Sequence, residues 1–220
     1  MVKMMYLRDR LGDDLAGYNF ADAEDIANKV LAAFKPPPKM MCDEWAEKHR
    51  RLSPESSASP GKFRLDKTPY MREPMQMVGK AGIESIALMC SAQVAKSTLI
   101  ENVVGYYTHL DPCPILHISP TLDSMKMFSK ERLAPMIRDT PVLRDLVRDS
   151  RSRDSGNTIA SKTFPGGHIA MVGSNAPAGL ASRPIRVLLA DEVDRFERSA
   201  GTEGDPLKLG IKRTTTYWNR

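Results

Sequence analysis

The chain has 220 residues, 41% hydrophobic and 27% charged, with a formal net charge of +5. This is the composition of a soluble globular protein with room for one well-filled core and a smaller appendage. Three scattered cysteines, Cys42, Cys90 and Cys113, exclude a disulfide framework or a cysteine-built metal cluster and predict a reducing cytoplasm. No apolar run nears the roughly 18 residues a membrane span requires, and the basic N-terminus leads into polar residues, so neither membrane nor export is predicted. The positive balance favours anionic partners, nucleic acid among them, without selecting one.

Residues 1–20 read as an irregular lead. From Asp22 to Phe34 the apolar residues Ile26, Val30, Leu31 and Phe34 recur on one helical face, with Asp22 as its predicted cap. Pro36, Pro37 and Pro38 stop that helix and form a stiff connector. A second short helix is predicted from Cys42 to Leu52, carrying Trp45 and the basic run Lys48-His49-Arg50-Arg51, and Ser53 to Gly61 reads as a loop. A boundary near residues 53–66 divides the chain into a helical appendage with linker, 1–60, and a main domain, 61–220.

The main domain alternates. Strands are predicted at 85–89, 115–119, 158–163, 168–172 and 186–190, and helices at 69–78, 97–108 and 121–147. Alternation of this kind predicts an α/β fold, a mostly parallel sheet flanked by helices. Phe164 to His168, with Pro165, Gly166 and Gly167 between, reads as a hairpin turn inserted before the last strand.

Two segments carry chemistry. Val187-Leu188-Leu189-Ala190 runs straight into Asp191 and Glu192, as a buried strand does when it delivers acids to the edge of a sheet. Upstream, the apolar stretch Ile86 to Met89 leads into a small-residue loop and then a helical run. That strand–loop–helix context lets backbone N–H groups and a helix N-terminus converge on phosphate. Ser91, Ala92, Gln93, Val94, Ala95, Lys96, Ser97 and Thr98 form the predicted nucleotide-binding segment. Lys96 is the residue to reach the β- and γ-phosphates of a nucleoside triphosphate, Ser97 and Asp191 to ligate Mg²⁺, and Glu192 to orient and deprotonate the attacking water. The pattern G-x-x-x-x-G-K-[ST] is met with Cys90 and Ala95 at its two glycine positions. A left-handed backbone at Ala95 would cost about 1 kcal/mol or more.

The run Glu44 to Gly61 and the segment Thr68-Pro69-Tyr70-Met71-Arg72-Glu73-Pro74-Met75 resemble the N-terminal signature of lambda-type phage terminase large subunits. Cys90 to Ser97, Ser174 to Pro184 and Leu188 to Phe196 are similar to that family's successive ATPase motifs, in order and spacing, and the resemblance covers roughly residues 40 to 220. Ala95 is the departure, since the family usually has glycine there. The resemblance implies a P-loop ATPase motor with ATP and Mg²⁺ that packages double-stranded viral DNA into a procapsid. It further implies a small terminase subunit, the portal and a homo-oligomeric ring as partners, in the cytoplasm of the bacterial host.

Such proteins pair this ATPase with a C-terminal nuclease, and the run Thr214 to Arg220 ends without one, so a fragment is expected. The rival reading is a non-catalytic remnant that keeps the fold and docks DNA or a terminase partner. A superfamily-2 helicase fits the 44–75 segment less well.

By analogy with helicase-like ATPases, Tyr70 stacks on the adenine with help from Arg72, against the alternative that Tyr70 and Met75 pack into the core. Gln93 approaches the γ-phosphate or is merely solvated. Arg183, in the Gly/Ala/Ser/Pro loop before the acid strand, senses the γ-phosphate or touches DNA, or like Arg186 is a surface charge. Asp194 and Arg195 are expected to pair locally. Residues 126–153 carry eight Lys or Arg against four acids. Arg144, Arg148 and Arg151 there align on one helical face, read as a solvated surface in preference to a DNA stripe. His49, His109, His117 and His168 are expected to be structural.

Overall fold

The computed structural model describes residues 20–33, 39–91, 93–147, 157–176, 179 and 184–217. The chain falls into two compact units, 1–38 and 39–220, so the segment from Cys42 to Lys62 belongs with the larger one. In the smaller unit, helix α1 spans Phe20–Ala33. It begins before Asp22, which therefore lies inside the helix and does not cap it. Its apolar residues Ile26, Val30 and Leu31 are exposed. Phe34 and Pro36 to Pro38 lie outside the described residues.

The larger unit opens with α2, Cys42–His49, which has Asp43 and Glu44 in its first turn and Lys48 and His49 in its last. Those charges suit the helix dipole. The Met41 N–H donates to the Glu44 carboxylate at 2.9 Å, closing the N-terminus. The helix stops short of the predicted Leu52 because tertiary bonds outbid propensity. Arg51 and Leu52 form strand β1, paired antiparallel with β2, Gly61–Lys62. The Arg51 N–H donates to Thr140 Oγ1 at 3.3 Å, and Arg50 turns inward to the Glu101 carboxylate.

Single-turn segments at Leu65–Lys67 and Pro69–Met71 lead into α3, Arg72–Met77, which is shorter than the helix predicted over 69–78. Helix α4, Lys96–His109, follows the predicted phosphate loop. The remaining elements are β3 (Pro114–Ser119), α5 (Leu122–Met127), α6 (Ala134–Asp139), α7 (Pro141–Arg144), β4 (Ser161–Phe164), β5 (Gly167–Gly173), β6 (Val187–Ala190) and α8 (Pro206–Thr214).

The single helix predicted over 121–147 is thus broken. A π turn occupies Phe128–Leu133, with the Ala134 N–H donating five residues back to the Ser129 carbonyl. Pro135 has no N–H to continue the ordinary ladder. Thr140 is held extended before Pro141, as a residue preceding proline prefers.

The sheet runs β4-β5-β3-β6, with β5, β3 and β6 parallel and β4 antiparallel to β5. The predicted hairpin is present: Phe164 pairs with Gly167 across Pro165 and Gly166. Gly166 has φ +84°, the value a proline-led tight turn needs at its second central residue. Alternation along each strand separates two cores. Ile115, Ile169 and Met171, with Val187 and Leu189 packed on them, face α4 through Val103, Val104 and Tyr107. Leu116, Ile118 and Leu188 face the other way with Leu209 of α8.

The strand predicted at 85–89 is absent. Residues 83–89 join no strand ladder among the described residues, and Ile83, Ile86, Leu88 and Met89 are exposed. A strand is made by a neighbour, and none of the described strands pairs with this segment.

The segment 42–62 is fastened to α4. Trp45 Nε1 donates to His109 Nδ1 at 3.0 Å. A Cβ on Gly105 would stand 2.2 Å from the Trp45 ring, so the helix needs glycine there. Arg50 and Glu101, 1% and 2% exposed, form a buried ion pair. His117 on β3 stacks on Phe128 of the π turn, ring centroids 4.1 Å apart.

Truncating one partner of a buried pair strands the other charge, so Arg50→Ala should lower the unfolding free energy by about 3–5 kcal/mol in urea denaturation. Burial pushes the His117 pKa down from 6.5 to about 4. The folded state resists a proton that the unfolded chain accepts, so this contribution is complete above pH 6.5 and lost between 6.5 and 4. At 1.36 kcal/mol per unit it totals about 3 kcal/mol. The stability difference between wild type and His117→Leu, followed from pH 7 to 4.5, should fall along that slope.

Candidate active site

The parallel register brings three strand ends to one edge: Ser119 pairs with Gly173, and Ile118 with Ala190. In open α/β sheets this carboxyl edge is where ligands bind. The edge is knitted together by main-chain and hydroxyl bonds. The Ser174 N–H donates to the Ser119 carbonyl at 2.8 Å and its hydroxyl to the Pro120 carbonyl at 2.7 Å. The Glu197 N–H reaches Ser174 Oγ at 3.4 Å, and the Asp191 N–H donates to the Ile118 carbonyl at 3.0 Å. Together these fix where Asp191 and Glu192 leave β6.

Helix α4 arrives from the other side. Ala95 stands at its N-cap with φ 61° and ψ 24°, no side chain caps it, and its first turn carries no acid. The first N–H groups of the helix are therefore open to an anion, aided by the dipole. Ala95 is in the left-handed region, where a Cβ is strained, and so are Gln93 at φ 62° and Glu192 at φ 50°. Among the described residues these are the non-glycine positions with positive φ, and all three belong to the predicted site. Strain concentrated this way is characteristic of functional loops.

Lys96 and Asp191 are brought within each other's field. Burial raises the Asp191 pKa first and the Glu192 charge raises it further, while Lys96 and a backbone hydrogen bond oppose both. Asp191 is half-buried at the end of β6, whereas Glu192 is exposed. Its carboxylate accepts from Arg195 Nη1 at 2.6 Å, across the turn Val193–Arg195. The pair predicted between Asp194 and Arg195 is therefore corrected: the cation engages the predicted water-activating acid, at the i,i+3 spacing that was the available signal.

Ser97 and Thr98 lie half-buried in the first turn of α4, Val94 is half-buried, and Ser91 and Gln93 are exposed. Ala92 and Arg183 lie outside the described residues, as do Arg148 and Arg151. Tyr70 is 54% exposed while Met71 and Met75 fill the core, so the core-packing alternative holds for Met75 alone. Arg72 faces α2, 3.4 Å from Asp43 and 3.6 Å from Glu47.

In the basic stretch, Lys126 pairs with Asp123, Arg138 with Glu55 and Asp139, and Arg144 with Asp145. Arg132 donates to the Ser56 carbonyl at 2.9 Å. The solvated and structural reading fits these residues. Arg186 makes a two-pronged contact with Asp111 at 2.7 and 2.5 Å, which makes it more than a free surface charge.

The donor set suits Mg²⁺ brought in with a triphosphate. A hydroxyl at Ser97 and a carboxylate at Asp191 are hard oxygen ligands, and this ion takes one or two protein oxygens alongside phosphate. No group of three or more His, Cys, Asp or Glu gathers to hold a metal alone among the described residues. Sequence reasoning passed over Asn102, which lies 0% exposed on α4 with neither side-chain polar atom partnered. A polar residue on the inward face of a helical run was its only signal.

An uncapped helix N-terminus behind a strained loop, facing paired acids at the end of a parallel strand, marks a nucleoside triphosphatase of the phosphate-loop class. The family described as "Phage terminase large subunit gpA, ATPase domain" matches residues 57–220, and the chain belongs to it: this is an ATPase domain. The chain is similar to the terminase large subunit of Enterobacteria phage P21, 29% identical over 189 residues, covering 86% of this chain and 29% of that protein. It is also similar to that of Escherichia phage lambda, 28% identical over 185 residues, covering 84% and 28%. The chain thus spans under a third of the length of these relatives. A solved structure, the HK97 bacteriophage large terminase, aligns over 80% of this chain and 42% of its own with TM-score 0.49 and 12% identity.

Ala95→Gly relieves a left-handed Cβ. It should raise the unfolding free energy by about 1 kcal/mol, measured by urea denaturation, with the fold unchanged.

Proposed function

We propose that this domain hydrolyses ATP at the junction of α4 and β6 to drive the packaging of double-stranded viral DNA into procapsids. The observation that carries the reading is the uncapped, acid-free N-terminus of α4, with Lys96 in the field of Asp191. Positive N–H groups and an ammonium on one side, and carboxylates on the other, leave a place for a phosphate chain with its counter-ion. The catalytic work is assigned to residues 61–220, to which the segment 42–60 is fastened through Trp45 and Arg50.

In this reading the Ser91–Thr98 segment wraps the phosphates with its N–H groups, and Lys96 Nζ neutralises charge on the β- and γ-oxygens. Ser97 Oγ and Asp191 hold Mg²⁺, which when bound supplies further neutralisation of the phosphate oxygens. Glu192 orients the attacking water and accepts its proton. The Glu192 carboxylate is a free-standing acceptor apart from Arg195, as a base that meets water must be. Phosphoryl transfer asks the protein mostly for positioning and charge compensation, and the strained loop supplies positions fixed in advance. The motor is proposed to act as a homo-oligomeric ring with the small terminase subunit and the portal, in the bacterial host cytoplasm and away from membrane.

Calorimetric titration with MgATP tests the site. Lys96→Ala should abolish binding. Glu192→Gln should leave the dissociation constant within about twofold and lower turnover by about 10²-fold or more in the assembled motor. Normal hydrolysis by Glu192→Gln would remove that residue from the mechanism.

A further inference from the structure

Glu192 leaves β6 tied at three points, and two of them are to one residue. Its main-chain N–H donates to the Asp191 carboxylate. Its carbonyl accepts from the Arg195 N–H at 2.9 Å, across the turn Val193–Arg195. Its carboxylate oxygen Oε2 accepts from Arg195 Nη1 at 2.6 Å, and among the described residues Oε1 accepts no bond. The backbone between these ties stands at φ 50° and ψ 51°. L-residues hold that left-handed conformation only where their surroundings over-determine it.

We propose that Arg195 is the positioning residue for the water-activating carboxylate, holding Oε2 so that Oε1 is left to meet the attacking water. The inference rests on the role given to Glu192 in the ATPase reading.

An exposed ion pair between residues three apart adds little to stability, so the value of this one lies in direction. A glutamate turns about three side-chain bonds, and freezing them as the reaction proceeds slows it. A short charge-assisted bond sets the rotamer before substrate arrives. The main-chain bond keeps Arg195 itself within reach, so the guanidinium meets the same carboxylate each time. The cation also offsets a repulsion, because the Glu192 charge is felt at the neighbouring Asp191. Lys96 compensates Asp191, and Arg195 does the same for Glu192. A guanidinium has no lone pair to offer, so Arg195 steadies the acid without competing for Mg²⁺.

Arg195→Ala keeps the main-chain bond and removes the guanidinium alone. The test is steady-state ATP hydrolysis by the assembled motor, with the MgATP affinity of each chain measured by calorimetry. Arg195→Ala should lower kcat about fivefold or more and leave the dissociation constant within about twofold. Arg195→Lys, which keeps a cation on a stem of similar length, should recover much of that loss. In a Glu192→Gln background, Arg195→Ala should cost nothing further, because no carboxylate remains to be aimed.

Full turnover in Arg195→Ala beside a slow Glu192→Gln overturns the proposal and leaves the ATPase reading standing. Lost MgATP affinity in Arg195→Ala does so too, since the guanidinium would then serve the phosphates. An equal loss in both backgrounds, or an Arg195→Lys as slow as Arg195→Ala, overturns it as well. Faster turnover would make the ion pair a brake and overturns it equally. Normal turnover in Glu192→Gln overturns both readings together.

Discussion

Ile118 has two obligations that cannot be met separately. Its side chain sits at 0% exposure in the core beneath α8, and its carbonyl accepts the Asp191 N–H at 3.0 Å. A slip of β3 by one residue against β6 would turn Ile118 toward α4, turn His117 away from Phe128, and move the acids along the edge. Burial on both faces therefore sets the register of the parallel strands, and the register sets where the carboxylates emerge. The acid pair inherits its position from a hydrophobic constraint that has no chemistry of its own.

The opposite half of the site is fixed by different means. Among the described residues no strand of the sheet pairs with the segment before α4, which leads directly into that helix. That helix is clamped from behind by Trp45 on Gly105 and by Arg50 on Glu101. The clamp matters because Gln93 and Ala95 hold backbone angles that L-residues avoid. Such angles persist only where the surroundings over-determine them. The segment 42–50, remote in sequence from the loop, thereby contributes to the conformation of the loop. Core packing on one side and a buried ion pair on the other converge on a junction neither could build alone.

Much of this was legible in the chain. The apolar run before Asp191 announced β6 because its side chains meet apolar neighbours on both faces, half-buried though all four residues are, and Pro165 with Gly166 announced its own turn by conformational preference. Lys96 and Ser97 were found because phosphate chemistry restricts which residues follow a small-residue loop. Three features were not legible, each for a physical reason. Whether 85–89 becomes a strand depends on a neighbour, and local sequence does not encode one. The break at Phe128–Leu133 has a local cause in Pro135, but the stack of Phe128 on His117 that accompanies it joins distant positions. The extended backbone at Arg50 answers Glu101, and an arginine in a basic run looks in sequence like any solvated charge.

The outer side of β6 has a further consequence. Exposed strand edges offer unmet N–H and C=O groups to any chain that can lie alongside, and natural sheets commonly guard them with charge, proline or a bulge. Val187 to Ala190 carry none of these guards, and Ile83, Ile86, Leu88 and Met89 add exposed apolar side chains. An apolar edge without such guards suits a further strand as neighbour, and pairing there would turn its open N–H and C=O groups into ladder bonds.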